Sequence, residues 1–203
     1  KDKDKIKNKN KNKKEGKMSE HEFMLRRIKK LIIDVPDFPK KGVMFKDITP
    51  LFQDQSEFRN LMTHYVRKIK RDGIVNKIVA IDSRGFLFGS ILAYETGLPM
   101  VLARKAGKLP RKTVHQTYEL EYGTATLEIH EADISENDNV LIVDDVLATG
   151  GTAVAVGEII QSLGGFIEGF WFLMDVPLLA GKERIRSRIF ADCEDYNNIE
   201  VVL

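Results

Sequence analysis

Asp144 and Asp145 stand side by side just ahead of a glycine and threonine run in the stretch VLIVDDVLATGGT, residues 140–152. Glycines at 150 and 151 permit positive φ and close approach, so several backbone N–H groups can converge on an anion where a helix begins. That chemistry suits a phosphate. The two carboxylates cannot serve the same anion, because like charges in contact repel strongly once water is partly excluded. They suit hydroxyl donors such as a sugar diol, or a metal ion held nearby. A phosphorylated ribose satisfies both halves of the stretch; the plainer alternative is an acidic turn that merely caps the following helix. Neither G-x-x-x-x-G-K-[ST] nor G-x-G-x-x-G occurs in the chain, which argues against a simple nucleoside triphosphatase or a dinucleotide enzyme.

These residues need a strand to end on and a helix to begin. The apolar run before Asp144 reads as the strand. Val154, Val156, Ile159, Ile160 and Leu163 recur at helical spacing, with Thr152 as the candidate N-cap and Gly164 and Gly165 as the stop. The rest of the chain alternates in the same way. HEFMLRRIKKLII and SEFRNLMTHYVRKIKR, the latter behind Ser56, read as helices, KIVAID (77–82) as a strand, and GFLFGSILAYETG as a helix closed by Gly97. PMVLARK is a further strand, TYELEYGTATLEIH a hairpin around Tyr122 and Gly123, and FIEGFWFLM another apolar strand. Strands separated by helices imply an α/β fold with a central, mostly parallel sheet flanked by helices, whose ligands bind at the carboxyl ends of the strands.

Composition bounds the alternatives. The chain has 203 residues, 43% of them hydrophobic, enough for one well-buried domain. No apolar run approaches the ~20 residues that cross a bilayer, so a soluble protein without a membrane partner is expected. The single cysteine, Cys193, fits a reducing compartment, with the cytoplasm as the default. Residues 1–17 carry nine Lys against two Asp and one Glu, a net +6, so that residues 18–203 carry −4 of the chain's overall +2. This Lys and Asn tract is expected to be a disordered extension, with the domain beginning near Met18. Its charge could grip nucleic acid weakly, although a solvated tail is the simpler reading. The four histidines, at 21, 64, 115 and 130, share no metal-ligand spacing.

VLIVDDVLATGGT resembles the phosphoribosyl pyrophosphate (PRPP) signature of the type I phosphoribosyltransferases, and its LATGGT ending resembles the adenine-using branch of that family. The resemblance implies a type I phosphoribosyltransferase fold with a small N-terminal hood (roughly 18–55), a core (roughly 56–203) and a β-hairpin lid. It places the ribose hydroxyls on Asp144 and Asp145 and the 5′-phosphate on Ala148, Thr149, Gly150, Gly151 and Thr152. IDSRGFLFG (81–89) resembles the family's pyrophosphate loop, which assigns the diphosphate to Asp82, Ser83 and Arg84 and implies a cis peptide between Asp82 and Ser83. A guanidinium and helix-start N–H groups suit that anion, since Arg can bond two oxygens at once; alone, Arg84 would read as a surface ion pair. The basic loop in LARKAGKLPRKTVHQTYELEYG (102–123) resembles the catalytic lid, with Arg104, Lys105 and Lys108 facing the polyanion. Ala106 stands where many relatives carry Pro or Arg, and no phosphate role is assigned to it.

In the adenine branch, the Glu of the motif that matches LEYG faces the imidazole edge of the purine. Glu121 is therefore the implied general base, with Glu119 as its rival, and Tyr122 lies near the leaving diphosphate. Phe45 is implied to stack on the purine while the main chain of Met44 and Lys46 reads its edge; without the resemblance Phe45 would read as core. A carbonyl accepting from the 6-amino group and an N–H donating to the neighbouring ring nitrogen would mispair with a 6-oxopurine. The implied activity is purine salvage, adenine and PRPP giving AMP and diphosphate. Mg²⁺ would be held mainly through PRPP, with no direct protein ligand assigned. A homodimer is implied as well, in which a basic residue of the lid strand can reach the partner's site. A PRPP- or nucleotide-sensing regulator of the same fold, or transfer to another base, are the alternatives; Glu121 and the complete lid disfavour the first, LATGGT and the Phe45 stretch the second.

Overall fold

The computed structural model describes residues 18–120, 123–191 and 198–203. The described chain falls into two compact units that divide between Phe58 and Arg59. The first opens with helix α1 (Glu20–Lys30), capped by Ser19, whose hydroxyl accepts from the Glu22 N–H at 3.1 Å while the Glu22 carboxylate accepts from the Ser19 N–H at 2.8 Å. This reciprocal pair satisfies two N–H groups that a helix start leaves open. The sequence pattern ran the helix on through Ile33, but the chain turns at Leu31 and Ile33 joins strand β1 (Ile33–Pro36), antiparallel to β2 (Met44–Asp47). Short helix α2 (Thr49–Gln53) follows.

Helix α3 (Gln55–Asp72) carries the chain from the first unit into the second. Its first turn is capped by Asp54, whose carboxylate accepts from the Glu57 N–H at 3.0 Å; Ser56, the expected boundary, lies inside the helix. The second unit is built on a seven-stranded sheet in the order β5-β6-β4-β3-β7-β8-β9. Its strands are β3 (Lys77–Ile81), β4 (Met100–Lys105), β5 (Thr113–Leu120), β6 (Gly123–His130), β7 (Asn139–Leu147), β8 (Phe166–Asp175) and β9 (Ile199–Val201). From β4 to β9 neighbouring strands are parallel, and β6 and β5 add an antiparallel hairpin at one edge.

Parallel strands covered on both faces must be apolar throughout, and β8 is buried from Ile167 to Met174. On one face Trp171 meets Tyr65 of α3 at 5.3 Å and Phe88 of helix α4 (Gly85–Thr96) at 5.2 Å between ring centres. On the other, helices α5 (Gly151–Ser162) and α6 (Gly181–Ile189) cover Ile167 and Phe170. Phe88, Phe170 and Phe172 are fully buried, and each such side chain stabilises the fold by roughly 1.5–3 kcal/mol. The helix stops fall where the glycines predict: Gly97 and Gly164 adopt φ of 76° and 85°. Helix α6 and strand β9 carried no pattern distinct enough to be read from the sequence.

The chain leaves β3 for β4 on one side and later returns to β7 on the other. This reversal makes the carboxyl ends of β3 and β7 a topological switch point, where a crevice opens for ligands.

Candidate active site

Both loops singled out in the sequence stand at that switch point. Ala80 of β3 pairs with Val143 of β7, so Asp82 leaves one strand beside the position where Asp144 and Asp145 occupy the other. The two acids do not sit in a turn after the strand: β7 continues to Leu147, with Asp144 opposite Phe172 of β8. The loop is confined to 148–150, and Gly150, at φ 76°, is the residue that precedes helix α5. Thr152, the expected cap, lies in the first helical turn and makes no capping bond; its hydroxyl donates to Tyr118 Oη at 3.2 Å. A Cβ at position 150 would come within 2.7 Å of the Gly181 carbonyl oxygen, so the left-handed turn and the packing both require glycine there.

Asp144, Ala148, Thr149, Gly150, Thr152 and Phe172 line one hollow of about 60 Å³. A carboxylate residue and the residues of a glycine loop thus line a single cavity. Asp144 keeps partial access to that hollow yet is deep among protein atoms, and burial, followed by the charge of Asp145, pushes its carboxyl well above the ordinary range. Burial also raises the Asp145 carboxyl, against the guanidinium of Arg84, which favours its charged form. Arg84 Nε lies 2.8 Å from Asp145 Oδ2, but off the line of a hydrogen bond, so this buried oxygen has no hydrogen-bonding partner among the described residues. The carboxylate that lines the hollow is that of Asp144, an acceptor for any hydroxyl donor held there.

The second loop runs from Asp82 through a cis peptide to Ser83, then into α4 at Gly85. The cis bond falls where the sequence resemblance placed it. Asp82 pairs with Arg104 of β4, Oδ2 to Nε at 3.2 Å, so two predicted residues from adjacent strand ends meet directly. A Cβ on Gly85 would lie 2.6 Å from the Val143 carbonyl oxygen and 3.2 Å from Asp144 Oδ1. Only glycine allows the start of α4 to lean on β7 at the acids.

Lys105 ends β4 and Lys108 follows in the loop, both with exposed side chains except for partial cover on Lys105's strand neighbours. The loop is held from beneath by Glu128 of β6, which accepts from the Lys108 and Leu109 N–H groups at 2.9 Å each. Burial works to raise this carboxyl, but N–H groups of Leu109, Gly107 and Lys108 and the Thr113 hydroxyl hold it below the usual range. Sequence reasoning missed Glu128, although a lone acid among the apolar residues of TATLEIH was a visible signal. It also missed Tyr118 and Arg184, which approach Gly151; nothing in the sequence linked them to the loop. Glu121 and Tyr122, as well as Cys193 and the extension 1–17, lie outside the described residues. In the first unit, Phe45 stands in β2 opposite Val35, with its ring 5.0 Å from that of Phe38, flanked by Met44 and Lys46. Lys46 Nζ pairs with Asp34 at 2.5 Å.

The sheet carries an acid pair and a glycine loop at its switch point, and residues 52–183 match the family model for the phosphoribosyl transferase domain. The chain is 46% identical over 173 residues to the adenine phosphoribosyltransferase of Aliivibrio fischeri, covering 84% of this chain and 95% of that protein. It is 47% identical over 157 residues to that of Salinispora tropica, covering 77% and 83%. Among solved structures it resembles adenine phosphoribosyltransferase from Thermoanaerobacter pseudethanolicus, with a TM-score of 0.78, 41% identity, and 88% of this chain and 98% of that one covered. The enzyme from Saccharomyces cerevisiae, solved with adenine and an imino-altritol bisphosphate, gives a TM-score of 0.79 at 34% identity, covering 89% and 99%. The chain belongs to the adenine phosphoribosyltransferase family.

Proposed function

We propose that this enzyme transfers the 5-phosphoribosyl group of PRPP to adenine, releasing AMP and diphosphate in purine salvage. The observation that carries the reading is the Asp144 carboxylate sharing one hollow with the glycine loop 148–150, with Asp145 beside it on the same strand. Asp144 and Asp145 accept hydrogen bonds from the ribose hydroxyls, and Ala148 to Thr152 bind the 5′-phosphate through main-chain N–H groups. Asp82, Ser83 and Arg84 take the diphosphate, joined by Arg104, Lys105 and Lys108 as the loop closes; excluding water strengthens each of these charge contacts. Phe45 stacks on the base, and the main chain of Met44 and Lys46 reads its edge, with residues 18–55 acting as a hood and 56–203 as the core.

In the reaction, a purine nitrogen forms a bond to C1 of the ribose as the C1–O bond to the diphosphate breaks, and the proton lost from the base passes to Glu121. Cations around the leaving diphosphate stabilise the charge that develops on it. The described residues contain no group of three or more metal-ligating side chains, and Mg²⁺ bound through substrate phosphates and one or two carboxylates requires none. Mg²⁺ would be held mainly through PRPP, with no direct protein ligand assigned, and would supply positive charge to the leaving diphosphate. No described helix is long and apolar enough to cross a membrane; a cytoplasmic homodimer completes the proposal.

The test is diphosphate release from PRPP and Mg²⁺ with adenine, hypoxanthine, guanine or orotate in separate reactions. Turnover with adenine alone supports the proposal, and turnover with orotate or a 6-oxopurine in its place overturns it. Replacing Glu121 by Gln is expected to slow turnover by about 10²- to 10⁴-fold with PRPP affinity kept; unchanged turnover would move the proton role to Glu119 or to solvent.

A further inference from the structure

Strand β5 is fastened along helix α5 through alternate residues of one face. Val114 and Tyr118 pack against the core, and Gln116 between them donates from Nε2 to Glu158 Oε2 at 2.8 Å, the two-residue period that a strand presents to one side. At the amino end of α5 the approach is closer still. A Cβ on Gly151 would stand 3.2 Å from Tyr118 Cδ2 and 3.2 Å from the Glu119 carbonyl oxygen, so a side chain at 151 would press the strand away from the first helical turn. This contact brings the Tyr118 hydroxyl to that of Thr152, which donates to it at 3.2 Å. Thr152 lines the hollow beside Asp144 and the loop 148–150, whereas Tyr118 is not among its lining residues. The tyrosine therefore meets a ligand in that hollow through the threonine.

The direction of this bond matters. A threonine hydroxyl has one proton to give and two lone pairs with which to accept, and here the proton is turned toward Tyr118. Tyr118 Oη makes no other hydrogen bond among the described residues, so its own proton has no acceptor there. A phosphate dianion offers acceptor oxygens only, and a charged acceptor draws the Thr152 proton more strongly than a neutral phenol does. We propose that Tyr118 is a positioning residue for the 5′-phosphate: when the anion binds, the hydrogen bond reverses, Tyr118 O–H donates to Thr152 Oγ1, and Thr152 O–H donates to the phosphate. Both protons only rotate about their C–O bonds, and no covalent bond changes. Each hydrogen bond of such a chain polarises the next, strengthening it by roughly 10–30%. The inference rests on the reading of residues 148–152 as the 5′-phosphate loop and adds to it a residue of the hairpin.

The experiment measures the affinities of the full chain for AMP and for adenosine, which differ only in the 5′-phosphate, AMP by calorimetry and adenosine by competition with it. Three variants accompany the wild type: Tyr118→Phe, which keeps the half-buried ring, Thr152→Val, and both together, with thermal melting to show that each is folded. Tyr118→Phe is expected to weaken AMP binding about three- to tenfold, the loss of one hydrogen bond, and to leave adenosine unchanged. In the Thr152→Val background the same replacement is expected to change AMP affinity by less than about twofold, because no hydroxyl remains to be held. AMP binding to Tyr118→Phe at the wild-type level, equal weakening of AMP and adenosine, or an equal loss in the threonine and valine backgrounds overturns the proposal; the second would make Tyr118 merely structural, and the third would detach it from Thr152. The wild type separates these results from a failure of the loop's reading: AMP bound no more tightly than adenosine overturns the phosphate assignment of residues 148–152, and the inference with it.

Discussion

The two loops at the switch point begin alike and end differently. Each follows a buried parallel strand, carries an acid at the strand's carboxyl end and enters a helix at a glycine. On β3 the acid is answered by the protein, Asp82 by Arg104 of the next strand. On β7 Asp144 has no ion pair among the described residues, and Asp145 meets Arg84 only by charge, with a buried oxygen left without a hydrogen bond. The β3 loop thus answers its acid from within the protein and adds helix-start amides, groups that suit an anion. The β7 loop is incomplete in acceptors, and acceptors call for hydroxyl donors. The difference in pairing, more than the similarity in shape, is what supports the proposal that the β3 loop takes the diphosphate and the β7 loop the ribose.

The contact between the loops is the sharpest place to break this comparison. Gly85→Ala drives a methyl group against the Val143 carbonyl and Asp144, forcing the loops apart. Displacement of a reacting group by about 1 Å can cost roughly 10²-fold in rate, so kcat/KM for PRPP should fall by at least that much, while thermal melting reports a loss of only about 1–3 kcal/mol. An unchanged kcat/KM would mean the loops are positioned independently. Asp145→Asn removes the partner of Arg84 and a charged acceptor, and should raise the KM for PRPP by about 10- to 100-fold with a smaller effect on kcat, as steady-state kinetics would show.

Asp144→Asn gives the smallest and most discriminating effect, because it separates binding from stability. The variant should bind PRPP more weakly yet melt higher without ligand, by about 2–4 °C, the shift that ~1 kcal/mol produces in a chain of this size. The sign follows from burial. A carboxyl whose titration is raised by folding is most favourable to the fold when protonated, and that contribution is lost as pH rises through the raised value. The melting gain of the variant over the wild type should therefore widen as pH climbs from the ordinary aspartate range toward neutrality. A gain that shrinks along that path would contradict the assigned direction.

What was legible in the sequence was what local chemistry dictates. Apolar runs ending in an acid and then glycine gave β3, β7 and their loops, and Gly97 and Gly164 marked the helix ends because positive φ is a local demand. Boundaries that depend on competition between neighbours were not legible. Thr152 is a good cap by type, but Gly150 already makes the turn, and the threonine hydroxyl is taken by Tyr118. Ser56 lost the helix start to Asp54 in the same way. Ile33 left its helical pattern to pair with Asp47, a partner that only the folded chain supplies. Tyr118 and Arg184 reach Gly151, and Glu128 the 108–109 loop, from distant positions, and no periodicity encodes such meetings. FIEGFWFLM read as a plain apolar strand; the bulge at Glu168 depends on the register with β7.

The most direct test of the central claim is a double-mutant cycle on the ribose hydroxyls. The affinities of AMP and of 2′,3′-dideoxy-AMP are measured calorimetrically for the wild type and for the protein carrying both Asp144→Asn and Asp145→Asn. The predicted result is that losing the diol weakens binding to the wild type by at least about tenfold, one charge-assisted hydrogen bond or more, and weakens binding to the double variant far less. Equal losses in both proteins would show that the acid pair does not hold the ribose.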